Sequence, residues 1–241
     1  MPNKLQCLLY ALKVLGICII FSWMLFALSV CFGCAVSVPE SRHVASMHSV
    51  TYVLDAGHGG RDGGAVSMDG TTEKELNLSI TLCMRDYLQL CGAETVMTRT
   101  HDTLVCDESD PNLKGKLKAT DLQNRLKLAQ AAAPSVLVSL HMNKFAIAKY
   151  KGLQVYYSKN HSDSQGLASL IQERVRSILQ PENDRKIKMA GSNIFLLDRI
   201  CEPAVLIECG FLSNSAETEK LKDPLYQATL ATVIADSLLA N

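Results

Sequence analysis

Residues 51–64 read TYVLDAGHGGRDGG. Tyr52, Val53 and Leu54 form a short apolar run that reads as a buried strand, Thr51–Asp55, and a glycine-rich loop follows from Gly57 to Gly70. After the loop, Leu76, Ile80, Cys83, Tyr87 and Leu90 recur every three or four residues, the stripe of an amphipathic helix beginning near Glu73. Gly92 ends that helix, where a left-handed residue is favoured. Strand, loop and helix in this order form a unit of an α/β sheet, and in such sheets ligands bind outside the carboxyl ends of the strands. His58 stands at that end. The glycine spacing gives neither G-x-G-x-x-G nor a Gly-Lys-Ser/Thr ending, so the loop is not built to hold a pyrophosphate.

The same arrangement recurs outward along the chain. Pro134 forces an exit from a helix capped at Thr120 or Asp121, and the strand Ser135–Leu140 then delivers His141. Ala204-Val205-Leu206-Ile207 ends in Glu208, a carboxylate costly to bury without a partner. Strands over Ala93–Thr98, Gly152–Ser158 and Asn193–Leu197 complete a set of six, with further helices over Asp163–Leu179 and Asp223 to about Leu239. The expected fold is a single three-layer α/β/α domain with a mostly parallel twisted sheet of about six strands. Two imidazoles and a carboxylate at the strand ends suit a three-ligand zinc site with a fourth position open. A further carboxylate nearby suits a base. The carboxylate ligand is Glu73 or Glu75, and the residues alone do not separate them.

Residues 14–38 carry no charge and follow Lys4 and Lys13, so 1–38 read as a signal peptide, a lipoprotein leader with Cys34 as the modified residue, or an uncleaved signal anchor. Each reading exports the domain, to the periplasm with or without a membrane tether. Residues 39–50 form a polar connector and 51–241 the catalytic domain. With 24 basic and 24 acidic residues, the chain lacks the basic excess of a nucleic-acid binder. Basic clusters at Lys114–Lys118, Lys144–Lys151 and Arg185–Lys188 read as solvated faces. Cys83, Cys91, Cys106, Cys201 and Cys209 match no zinc knuckle and read as free buried thiols. No G-x-S-x-G elbow is present, which disfavours a serine hydrolase.

Six ordered segments, VLDAGHGGRDGGA, TTEKELNLS, VMTRTHDT, DLQNRLKLAQ, LVSLHMN and PAVLIECGFLSN, resemble the zinc-dependent N-acetylmuramoyl-L-alanine amidases that split peptidoglycan in division and spore germination. The resemblance covers essentially Thr51 to Ala240. It implies one zinc per chain held by His58, Glu73 and His141, with Glu208 as catalytic acid and base. It also implies peptidoglycan, or a lipid-linked muropeptide precursor, as substrate, and leaves a protein activator open. A zinc peptidase acting within the stem peptide and a non-catalytic wall-binding regulator are the alternatives. Arg99 and Arg125 are candidate contacts for substrate carboxylates. Only Gln165 to Ser192 is available for the inhibitory helix that some relatives insert, so no such plug is expected. No separate wall-targeting domain is expected ahead of Thr51.

Overall fold

The computed structural model describes residues 50–241. The leader and nearly all of the connector, with their signal, lipidation and anchor readings, lie outside the described residues. Among the described residues no helix is long and apolar enough to cross a membrane. The elements run β1 (Thr51–Ala56), α1 (Glu73–Leu90), β2 (Thr95–Met97), a 3-10 turn (Pro111–Leu113), α2 (Leu117–Ala131), β3 (Ser135–Asn143), β4 (Gln154–Tyr157), α3 (Asp163–Ile178), β5 (Lys188–Met189), α4 (Phe195–Arg199), β6 (Ala204–Phe211), α5 (Ser215–Lys222) and α6 (Pro224–Leu239).

The sheet order is β2-β1-β3-β6-β4-β5, and every neighbouring pair is parallel except β4 with β6. From β1 the chain steps outward to β2 and returns to β3 on the opposite side. The order therefore reverses between β1 and β3, and the crevice this leaves at the carboxyl ends lies between His58 and His141. Alternate residues of each strand face opposite layers. Leu54, Val138, Leu140, Val205 and Ile207 are buried with Ile80 and Met84 of α1, Leu167 and Ile171 of α3 and Ile234 of α6. Val53, Leu137 and Leu206 pack on the other face with Ala129 of α2 and Leu196 and Leu197 of α4. Burial on both faces explains the unbroken apolar runs in the strands.

Several sequence expectations need correction. Helix α2 starts at Leu117, not at a Thr120 or Asp121 cap. Asp121 is buried inside the helix, accepting from the Val105 amide at 2.6 Å and from Arg125 Nε at 2.7 Å, so tertiary partners rather than a helix terminus use its carboxylate. Asn193–Leu197 is not a strand; Phe195–Arg199 form one short helix turn that turns Leu196 and Leu197 into the core. The sixth strand is Lys188–Met189, on the sheet edge. Helix α5 was not anticipated; Asn214 caps it by accepting from the amides of Ala216 and Glu217. Strand β3 continues through His141 to Asn143, so His141 projects from within the strand. Among the described residues the five cysteines are all free, but only Cys209 is buried, and Cys91 and Cys201 are exposed.

Candidate metal centre

Beyond Ala56 the backbone turns through Gly57 into His58, whose φ of 62° lies in the left-handed region. For a residue with a Cβ this costs about 1–2 kcal/mol. The surrounding structure holds it there. Arg125 donates from Nη2 to the His58 carbonyl at 2.7 Å and from Nη1 to that of Ala56 at 2.8 Å. Arg99 donates to the carbonyls of Ala56 at 2.8 Å and Gly57 at 3.0 Å, and Asn77 to that of Gly57 at 3.1 Å. Arg99 also donates to the carbonyls of His101 and Lys74. Both arginines are almost wholly buried. They brace the loop from below, each committing four of its five N–H donors to the protein, so the contact with substrate carboxylates expected for them competes with this structural role.

Helix α1 supplies the next residue, and here the structure separates the two glutamates. Thr72 and Glu75 form a reciprocal capping box, with Glu75 Oε2 accepting from the Thr72 amide at 3.3 Å and hydroxyl at 2.7 Å. Glu75 therefore serves the helix end. Glu73 turns inward, 4% exposed. Its Oε1 lies 3.2 Å from His58 Nε2 and 2.9 Å from His141 Nδ1, and it also accepts from the Met142 amide at 3.0 Å. The second oxygen accepts from the Ala65 amide at 2.7 Å.

Candidate ligand atoms of His58, Glu73 and His141 all lie within 4.8 Å of one another. The donor set fits a zinc ion. Without a cation, four N–H groups, those of His58, His141, the Met142 amide and Asn77 Nδ2, would converge on one carboxylate oxygen that has two lone pairs. A divalent cation instead takes one lone pair from each side chain, and two imidazoles with a carboxylate are ligands zinc accepts. Burial opposes the charge on Glu73, but His141 and His58 outweigh it and hold the carboxyl well below its usual range. His58 Nδ1 is 2.9 Å from Asp62 Oδ2, an ion-pair distance at which the N–H does not point at the oxygen. Sequence reading missed Asp62, although a carboxylate behind a ligand histidine is a common orienting partner.

The glycines of the loop leave room for ligands. A Cβ at Gly64 would fall 2.5 Å from Glu73 Oε2 and 2.7 Å from His58 Cδ2, at a φ of 67°. Gly64→Ala is therefore expected to weaken metal binding at least tenfold, the scale of disturbing a ligand's support. Titration of the purified chain with zinc checks this; wild-type affinity in the variant would show that the ligands do not depend on that space.

Glu208 sits on β6 with His141 as its register partner on β3 and Gln154 as its partner on β4. Its Oε2 is buried without a hydrogen-bond partner. Burial pushes the carboxyl up to about 7, with the Glu73 charge adding to the shift and His141, His58 and Arg185 opposing it. A carboxyl near neutrality can both take and give a proton. A cavity of about 210 Å³ opens beside the site, lined by His58, His141, Lys118, Leu122, Phe195 and Leu206.

Residues 53–240 match the N-acetylmuramoyl-L-alanine amidase family. The chain belongs to this family. The germination-specific N-acetylmuramoyl-L-alanine amidase of Bacillus subtilis is 36% identical to this amidase over 186 residues, 77% of each chain. The CwlD amidase of Clostridioides difficile, solved in complex with the GerS lipoprotein, superposes with a TM-score of 0.76 at 36% identity, covering 79% of this chain and 97% of that one. The catalytic domain of CwlV, an amidase from Bacillus (Paenibacillus) polymyxa, gives 0.65 at 30% identity, covering 79% and 97%.

Proposed function

We propose that the chain is a zinc-dependent peptidoglycan amidase. It hydrolyses the amide between N-acetylmuramic acid and L-alanine, with His58, Glu73 and His141 holding the metal and Glu208 moving the proton. The observation that carries this reading is the unpartnered, buried Glu208 Oε2 beside three convergent ligands. Zinc held there would supply Lewis-acid polarisation to the scissile carbonyl and the attacking water. Glu208 takes a proton from that water at Oε2 and returns it to the departing L-alanine nitrogen, so the carboxylate is regenerated each turnover. Asp62 sets a negative charge beside His58, and Arg125 and Arg99 fix the loop that carries it. Export belongs to the same reading: the uncharged segment 14–38 behind Lys4 and Lys13 supports delivery to the wall side of the membrane.

A chelator should abolish hydrolysis of purified sacculi, and added zinc should restore it. The products should be stem peptides that begin with L-alanine. His141→Ala should lower bound zinc below one ion per chain. Undiminished turnover by a metal-free preparation, or peptides cut within the stem instead, would exclude the mechanism.

A further inference from the structure

The basic cluster Arg185–Lys188 has no part in the chemistry above, yet its first residue stands at the edge of the site. His141, Glu208 and Gln154 are register partners across β3, β6 and β4. They therefore share one side of the sheet and step outward from the metal ligands by about 4.8 Å per strand. Gln154 is 2% exposed and both ends of its amide are occupied. Its Oε1 accepts from Arg185 Nη2 at 2.5 Å, and its Nε2 donates to the Lys186 carbonyl at 2.6 Å. The Arg185 backbone is fixed as well. Its amide donates to Asn183 Oδ1 at 3.0 Å, and its carbonyl accepts from Arg176 Nη2 at 2.9 Å. The guanidinium lies 4.7 Å from the centre of the Phe211 ring. Its Nε is buried and has no partner. Arg99 and Arg125 each commit four N–H donors to carbonyls and carboxylates, whereas Arg185 commits one, to Gln154.

The geometry points to Arg185 as a specificity-determining residue that binds a carboxylate on the leaving peptide, about two residues beyond the scissile amide. This rests on the amidase reading. Glu208 lies between the metal ligands and Arg185 along the row, and Glu208 must serve the leaving nitrogen. A peptide whose first nitrogen is at Glu208 therefore runs on toward Gln154 and Arg185. Extended chain advances about 3.3–3.6 Å per residue. A carboxylate on the second residue thus arrives roughly 7 Å past the scissile nitrogen, a reach that carries it from Glu208 on β6 past its neighbour Gln154 on β4, the residue Arg185 is bound to. A preoriented guanidinium binds carboxylate through two parallel bonds, and a carboxamide cannot replace that pairing because it carries no charge and offers only one oxygen.

The test uses the zinc-loaded full chain and two probes that differ at one group. They are N-acetylmuramoyl-L-alanyl-γ-D-glutamyl-lysine with a free α-carboxylate on its second residue, and the same compound as the α-carboxamide. The wild-type chain should favour the carboxylate by about 10- to 100-fold in kcat/KM, the range of a charged hydrogen bond. Arg185→Gln should remove that preference by lowering kcat/KM on the carboxylate probe alone, and Arg185→Lys should restore part of it. Zinc content and the rate on the carboxamide probe should be unchanged in both variants. Equal wild-type rates on the two probes would overturn the proposal, and so would an Arg185→Gln loss that is the same on both. If Arg185→Gln does not fold, the two wild-type rates still decide. A fully zinc-loaded chain that cleaves neither probe nor sacculi overturns the amidase reading itself, which separates that failure from this one.

Discussion

Glu208→Gln is expected to lower kcat by ~10²–10⁴-fold while leaving one zinc per chain, because the amide keeps the shape and loses the proton transfer. The buried carboxyl is unpartnered and shifted toward neutrality, and neither property contributes to holding the metal. Metal analysis and steady-state rates on sacculi, measured on one preparation, check it. If the variant loses zinc and regains turnover when zinc is in excess, the roles of Glu208 and Glu73 are exchanged.

Arg125→Met should destabilise the fold by about 3–5 kcal/mol, the scale of removing one partner from a buried ion pair. Arg125 Nη1 is 2.7 Å from Asp55 Oδ1, and Nε is 2.7 Å from Asp121 Oδ2, with all three side chains buried. Methionine fills the space but leaves two carboxylates uncompensated. Urea unfolding gives the number, and a loss below about 1 kcal/mol would show the network to be dispensable, as exposed pairs are. Because Arg125 also holds the His58 carbonyl, the variant should bind zinc more weakly as well. Acid attacks the same network. Burial raises the Asp55 carboxyl, but Arg125 and the Ser139 hydroxyl outweigh it and bring it down to about 2. A depressed carboxyl contributes stability above its ordinary range near 4, and that contribution is lost as pH falls toward 2.

The strands that carry His58, His141 and Glu208 were legible because each is buried on both faces and so reads as an unbroken apolar run. Glu73 could have been separated from Glu75 without the resemblance. Thr72 three residues before Glu75 is the capping-box spacing, which assigns Glu75 to the helix end and leaves Glu73 free. Asn193–Leu197 misled because five residues with an apolar core fit a strand and a helix turn equally well. Helix α5 has little apolar patterning, and its one clear sign is the Asn214 cap. Asp121, Arg99 and Arg125 were misplaced for a shared reason. Charged residues read as surface or substrate-facing by default, and their burial depends on partners 16 to 70 residues away.

The brace under the loop also bears on which metals can compete for the site. Backbone carbonyls of glycine-rich loops are good ligands for calcium, which takes six to eight oxygens, and magnesium likewise seeks an all-oxygen octahedron. Here the carbonyls of Ala56, Gly57 and His58 are already capped by Arg99, Arg125 and Asn77. The candidate ligands are two imidazoles and one carboxylate, a set that suits zinc better than hard cations such as calcium and magnesium. With zinc held as proposed, the two arginines and Asn77 would bear on cation selectivity by occupying these carbonyls, without touching the ion.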